Sequence, residues 1–204
     1  MTIQRLESGI RKEQIKKAVL NIISTKGLAS LTTRNLAAEV GFSEGAIFRH
    51  FKNKKDIISS IIKDVDNHLV KIQKAIAYSN RPPEKRLKEF FCKHVHYLIE
   101  NKGITILLFS EVAHMNEPRL KHKLSNILKE QKKCACKILI DGMKSKKWDP
   151  SLNADNVAML YMGVPISLNI ELVLNKNNFR EEHYCKSMIN LISRVLVNNN
   201  IKSN

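Results

Sequence analysis

The sequence predicts an all-α fold of about nine helices. Apolar residues recur with helical spacing along most of the chain, and no stretch of any length shows the alternation of a strand. Glycine (7) and proline (5) are scarce, and several of them mark breaks between the periodic segments.

The first helix is expected over roughly Ser8–Lys26, with Ile15, Val19, Ile22 and Ile23 on one face and Gly27 at its stop. A short second helix follows over about Thr33–Val40, where Thr32 or Thr33 can cap the free amides and Gly41 ends the run. Ser43 can cap a third, from Glu44 to about His50, before Phe51-Lys52-Asn53 breaks the chain. The fourth is long, roughly Lys54–Tyr78. Its isoleucines 57, 58, 61, 62, 72 and 76, with Val65 and Leu69, fall within an arc of about 140° at helical spacing. Asn80-Arg81-Pro82-Pro83 separates it from a fifth helix to about Asn101, and Gly103 from a sixth over Ile104–His114. Pro118 suits the first turn of a seventh, which runs to about Lys146. Trp148-Asp149-Pro150 is a turn. The eighth and ninth helices cover about Asn153–Asn175 and Glu181–Val197.

A chain of 204 residues suits one or two modest domains. With 43% hydrophobic and 26% charged residues the composition is that of a globular protein. The net charge of +16 points to a polyanionic partner, or to nothing more than a lysine-rich soluble protein. The four cysteines form no CxxC pair, and Met1–Lys17 lacks the apolar core of a signal peptide, so a reducing cytoplasm is expected. Val157–Leu174 is nearly all apolar, yet Gly163, Pro165, Asn169 and Glu171 interrupt it. That reads as a helix buried in a bundle or subunit interface, with no membrane partner.

Two short helices joined by Val40-Gly41-Phe42-Ser43 have the dimensions of a helix-turn-helix. Leu36, Ala37, Val40, Phe42 and Ile47 can pack the pair against the first helix. Glu44, Gly45, Ala46, Phe48 and Arg49 then face outward, and the small residues at 45 and 46 admit a close approach to base edges. Residues 1–55 hold 11 Lys/Arg against 4 Asp/Glu, a net of +7. The run LTTRNLAAEVGFSEGAIFRHFKNKKDII, Leu31 to Ile58, closely resembles the N-terminal domain of the TetR family of bacterial one-component regulators. It departs where the family usually has Tyr and this chain has Phe48, which keeps the packing but loses a hydroxyl donor to phosphate.

The resemblance implies residues 1–53 as a DNA-binding domain and 54–204 as a ligand-binding and dimerisation domain. It assigns Thr32 and Thr33 to phosphate at the start of the second helix, and Arg34 to phosphate or a guanine edge. Ser43 opens the recognition helix, whose groove-facing positions hold Glu44, Gly45, Ala46, Phe48 and Arg49. His50 and Lys54 fall on positions that hold the DNA backbone. The expected function is a ligand-responsive repressor, released from a palindromic operator in double-stranded DNA by a small hydrophobic effector. The alternative is a non-enzymatic interaction dimer that binds DNA through charge alone.

The last two helices carry more apolar residues than one subunit covers, which predicts a homodimer through them. For the effector, the resemblance points to helices four to eight, with His94, Tyr97, Phe109, His114, Met115 and Met162 as candidates; core packing is the weightier reading of each. Cys92, His94 and His96 sit about 200° apart in succession on a helix, which argues against a metal site. No motif for a cofactor or for catalysis is present, so neither a cofactor nor an enzyme activity is expected.

Overall fold

Capping side chains set the lengths of the first helices in this computed structural model, which describes residues 8–101, 103–114, 116–175 and 180–197. Helix α1 spans Ser8–Lys26. Helix α2 spans Thr33–Val40, and it is Thr32 that caps it: its hydroxyl accepts from the Asn35 amide at 3.1 Å. Gly41 closes α2 at φ +74°, where any side chain would be strained. Helix α3 spans Glu44–His50, and the Ser43 hydroxyl accepts from the Ala46 amide at 3.2 Å. Asn53 caps α4, Lys54–Val65, by accepting from the Asp56 amide at 2.9 Å.

Helix α4 continues through a π-helical turn, Asp66–Val70, into α5, Lys71–Ala77, with helical dihedrals at both junctions. The turn holds one residue more than an α-helical turn, so everything after it is rotated. The expected apolar stripe holds through Leu69. Beyond it the buried positions are Val70, Gln73, Ile76 and Ala77, and Ile72, which the periodicity placed inside, is 44% exposed. Gln73 is instead wholly buried and accepts from Gln131 Nε2 at 3.0 Å.

The remaining helices are α6 (Pro83–Glu100), α7 (Ile104–His114), α8 (Pro118–Lys144), α9 (Ala154–Leu174) and α10 (Glu181–Leu196). With α4 and α5 taken as one rod, nine helices and no strand lie among the described residues, as expected. Gly103 turns the chain from α6 to α7 at φ +69°, and a Cβ there would sit 2.6 Å from the Asn169 carbonyl of α9.

Three apolar cores lie along the long α4–α5 rod. The first joins α1, α2 and α3 through Ile15, Ile22, Leu36 and Ile47 to Ile57 and Ile61 of α4, and it takes in Leu108 of α7. The second uses the other side of α4, where Ile58 and Ile62 meet Val112 of α7 and Leu120 and Leu124 of α8. The third is the bundle core of α5, α6, α8, α9 and α10, with Phe90, Phe91, Ile138 and Tyr161 at its centre. Two buried cations tie elements together. Lys16 of α1 pairs with Asp64 of α4 and, at 2.5 Å, with Glu13. Arg86 pairs with Asp141 at 2.9 Å and donates to the Ala77 carbonyl at 2.6 Å.

Helix α9 is long and apolar enough to cross a membrane, the one such helix among the described residues. It buries Val157, Tyr161, Met162 and Leu168 on one side. On the other it exposes Met159 (64%), Leu160 and Leu174 (74%), and α10 exposes Leu191 and Val195.

Candidate nucleic-acid interface

Ile47 fixes how α3 presents itself. Its side chain is 2% exposed in the head core, a burial worth roughly 1.5–3 kcal/mol. Phe42, ahead of the helix, packs half-buried on the same core under the Arg11 guanidinium, 4.7 Å from the ring centroid. With 42 and 47 inward, Ser43, Glu44, Gly45, Phe48 and Arg49 are turned to solvent, Phe48 at 50% exposure. Ala46 and His50 are half-buried at the edges of this face, with His50 Nδ1 3.5 Å from the Ser8 hydroxyl. Nothing lies within 4 Å of the Cβ position of Gly45, so the backbone there is open to a close partner.

A groove of about 270 Å³ runs beside this face, lined by Thr32, Thr33, Phe48, Asn53 and Lys54. The N-termini of α2 and α4 both border it, and helix N-termini offer amides and a positive dipole end to anions. Arg34 and Arg49 are exposed and hold no ion pair among the described residues. Lys54 is already engaged, its Nζ 2.6 Å from Glu111 Oε1 of α7. That partner lies 57 positions away and left no trace in the local pattern. The Asn53 cap could have been read earlier, because Asn53 precedes Asp56 by the three residues of an N-cap and its target amide.

The candidate effector residues divide. His94, Phe109 and Met162 line one cavity of about 50 Å³ between α4, α6, α7, α8 and α9. Its polar lining also includes Thr105, Gln131 and Asn169, which no periodicity distinguished from surface polar groups. His94 is buried and its Nδ1 has no hydrogen-bond partner. Burial holds its imidazole down to about 4 from the ordinary 6.5. Tyr97 lines a separate cleft between α1, α4 and α6, beside Lys16 and Asp64. It stands one turn beyond His94, about 60° around α6, and does not line the His94 cavity. Met115 and the His114 side chain lie outside the described residues.

Residues 15–61, which hold this whole head apart from the start of α1, match the bacterial regulatory proteins of the tetR family. The head carries a tetR-family domain. Curated relatives of this chain include the nucleoid occlusion factor SlmA of Sodalis glossinidius, 26% identical over 118 residues that cover 57% of this chain and 60% of SlmA. The uncharacterized HTH-type transcriptional regulator YerO of Bacillus subtilis is 26% identical over 172 residues, 79% of this chain and 59% of YerO. The matches therefore span about three-fifths of the length of these relatives. Among solved structures, the regulator FadR of Bacillus subtilis in complex with stearoyl-CoA superposes with a TM-score of 0.70 at 21% identity, over 89% of this chain and 97% of FadR. At that identity the likeness shows a shared fold.

Proposed function

We propose that this chain is a cytoplasmic, homodimeric tetR-family repressor that binds a palindromic DNA operator and is released by a small hydrophobic effector. In this reading residues 1–53 read DNA, and residues 54–204 hold the effector and the partner subunit. The observation that carries it is the outward face of α3, exposed and open at Gly45, set between two helix N-termini and the free Arg34 and Arg49. The exposed apolar sides of α9 and α10 support an isologous four-helix contact with a second copy. Two heads related by that symmetry would read two half-sites.

The cavity at His94 supports the release step. Its lining is apolar but for a few polar groups, which suits a hydrophobic effector, and the FadR structure was solved with an acyl-chain ligand. At about 50 Å³ it is well below the roughly 300 Å³ of a drug-sized pocket, so binding must push its walls apart. One wall, Leu108 of α7, is also part of the head core, and one turn further α7 holds Lys54 through Glu111. An effector that fits only the widened cavity favours a displaced α7 and so a different setting of the heads.

Fluorescence anisotropy with the DNA upstream of the protein's own gene tests the DNA arm. Arg34→Ala combined with Arg49→Ala should weaken binding by about 100-fold or more while leaving the melting temperature unchanged. Binding that survives the double change, or equal affinity for random DNA at moderate salt, sinks the assigned surface.

A further inference from the structure

Helices α6 and α10 pack side by side in opposite directions, and two contacts set their register. Phe91 stacks on Tyr184 with centroids 6.3 Å apart and planes 19° from parallel. His96 Nδ1 lies 3.1 Å from Glu181 Oε2. One turn back along α6 from His96, and one turn forward along α10 from Glu181, stand Cys92 and Cys185. The register therefore places two free cysteines opposite each other. Cys185 is 4% exposed inside the bundle core, whereas Cys92 is half-buried and reachable. The other two cysteines have no such arrangement. Cys134 and Cys136 diverge by about 200° on α8, Cys134 is 1% exposed, and Cys136 Sγ rests 3.7 Å from the Ala154 carbonyl.

We propose that Cys92 and Cys185 form a reversible dithiol–disulfide site that staples α6 to α10, with hydroperoxides or low-molecular-weight disulfides as its oxidants. With hydrogen peroxide, the Cys92 thiolate attacks one peroxide oxygen, the O–O bond breaks, and hydroxide leaves and is protonated to water. Cys92 is then a sulfenic acid. The Cys185 sulfur gives up its proton and attacks the Cys92 sulfur, the S–O bond breaks, and a second water departs. Two thiols lose two electrons and one peroxide becomes two waters.

The roles follow from the surroundings. The facing Cys185 thiol holds the Cys92 thiol below its usual range against the opposing effect of burial, with Lys88 assisting and Glu181 opposing. Cys92 and burial together push Cys185 far up, so it stays protonated until Cys92 is oxidised. Burial raises Cys134 to about 11 and also raises Cys136, which leaves Cys92 as the first sulfur to react. The staple would join a helix that carries a wall of the His94 cavity to a helix with an exposed apolar face. It stands independently of the DNA-binding reading.

The test uses the full-length reduced protein, exposed to hydrogen peroxide or diamide, then alkylated, digested and mapped by mass spectrometry. The expected product is an intrachain disulfide joining the Cys92 and Cys185 peptides, reversed by dithiothreitol, forming about tenfold faster than any oxidation at Cys134 or Cys136. It should persist in Cys134→Ser/Cys136→Ser. In Cys185→Ser, Cys92 should stall as a sulfenic acid that dimedone traps. The proposal is overturned if wild-type protein oxidises first at Cys136, forms only cross-chain disulfides, or takes Cys92 to sulfinic acid without joining Cys185.

Discussion

The head and the bundle end and fill their helices by different means. In the head, α2, α3 and α4 each begin at a short polar side chain, Thr32, Ser43 and Asn53, that accepts from the amide three residues on. In the bundle α9 is capped in the same way by Asn153, but α6, α8 and α10 begin without any side-chain cap and persist because they are long and share a large core. Among the described residues the head buries one charged group, the paired Lys16, whereas the bundle buries Gln73, Arg86, His94, Gln131 and Asn169, of which Gln73, Arg86 and His94 each keep an unpartnered nitrogen. Such groups are costly where they stand. A head specified by local signals suits a fixed reading surface. A bundle that buries unsatisfied polar atoms, one of them His94 Nδ1 on a small cavity, suits an element that is repacked by a ligand.

The sharpest way to break this comparison is acid. Unfolded, the His94 imidazole takes its proton near 6.5; folded, burial delays that to about 4. Between those values the unfolded chain binds one more proton, so stability falls as the pH drops through the window and is fully present above it. The full difference corresponds to about 3 kcal/mol. Denaturant melts at pH 7 and pH 4.5 should show most of this loss, and His94→Leu should remove that part of the slope whatever its stability at neutral pH. A slope that survives in the variant would place the acid sensitivity elsewhere.

The second contrast uses two helical glycines. A Cβ on Gly142 of α8 would meet the Trp148 ring at 1.9 Å, and Trp148 is 6% exposed with little room to move. Gly142→Ala should therefore cost about 2 kcal/mol and lower the melting temperature by roughly 4–8 °C. Gly45 has open space in front of it, so Gly45→Ala should leave the melting temperature level or slightly raised. If α3 faces DNA, the same methyl should reduce operator affinity by about tenfold. A Gly45 variant that binds DNA as well as the parent would remove the reason for a small residue there.

How far the sequence could be read follows the same division. In the head the helix limits, a cap at Thr32 or Thr33, the cap at Ser43, the turn at Gly41 and the inward Ile47 were all legible, because each depends on neighbours within four residues; that Thr32 and not Thr33 is the cap came from the structure. The placement of Ile72 was not, because a π turn at Asp66–Val70 shifts the phase without any glycine or proline to announce it. The cavity partners Thr105, Gln131 and Asn169 were also hidden, since a buried polar residue on a helix looks like a surface one until its neighbours from other helices are known. His94 was legible as a polar residue on an apolar stripe, but not the missing partner at its Nδ1.

Lys54 is where the two regions meet, and the smallest expected effect decides its role. Its Nζ lies 2.6 Å from Glu111, with 39% of the lysine side chain and 12% of the glutamate accessible. An ion pair this exposed on one side contributes about 0.5–1 kcal/mol, to be read from a double-mutant cycle of Lys54→Gln and Glu111→Gln in thermal stability. A phosphate contact leaves a different mark. Releasing one counterion fewer lowers the slope of log affinity against log salt by about one in Lys54→Gln. Glu111→Gln frees the lysine, so it should leave that slope unchanged and DNA affinity equal or higher. A Lys54→Gln variant with the parent's slope and a full coupling to Glu111 would make Lys54 a tether between head and α7 and nothing more. The DNA surface would then rest on Arg34, Arg49 and the two helix N-termini alone.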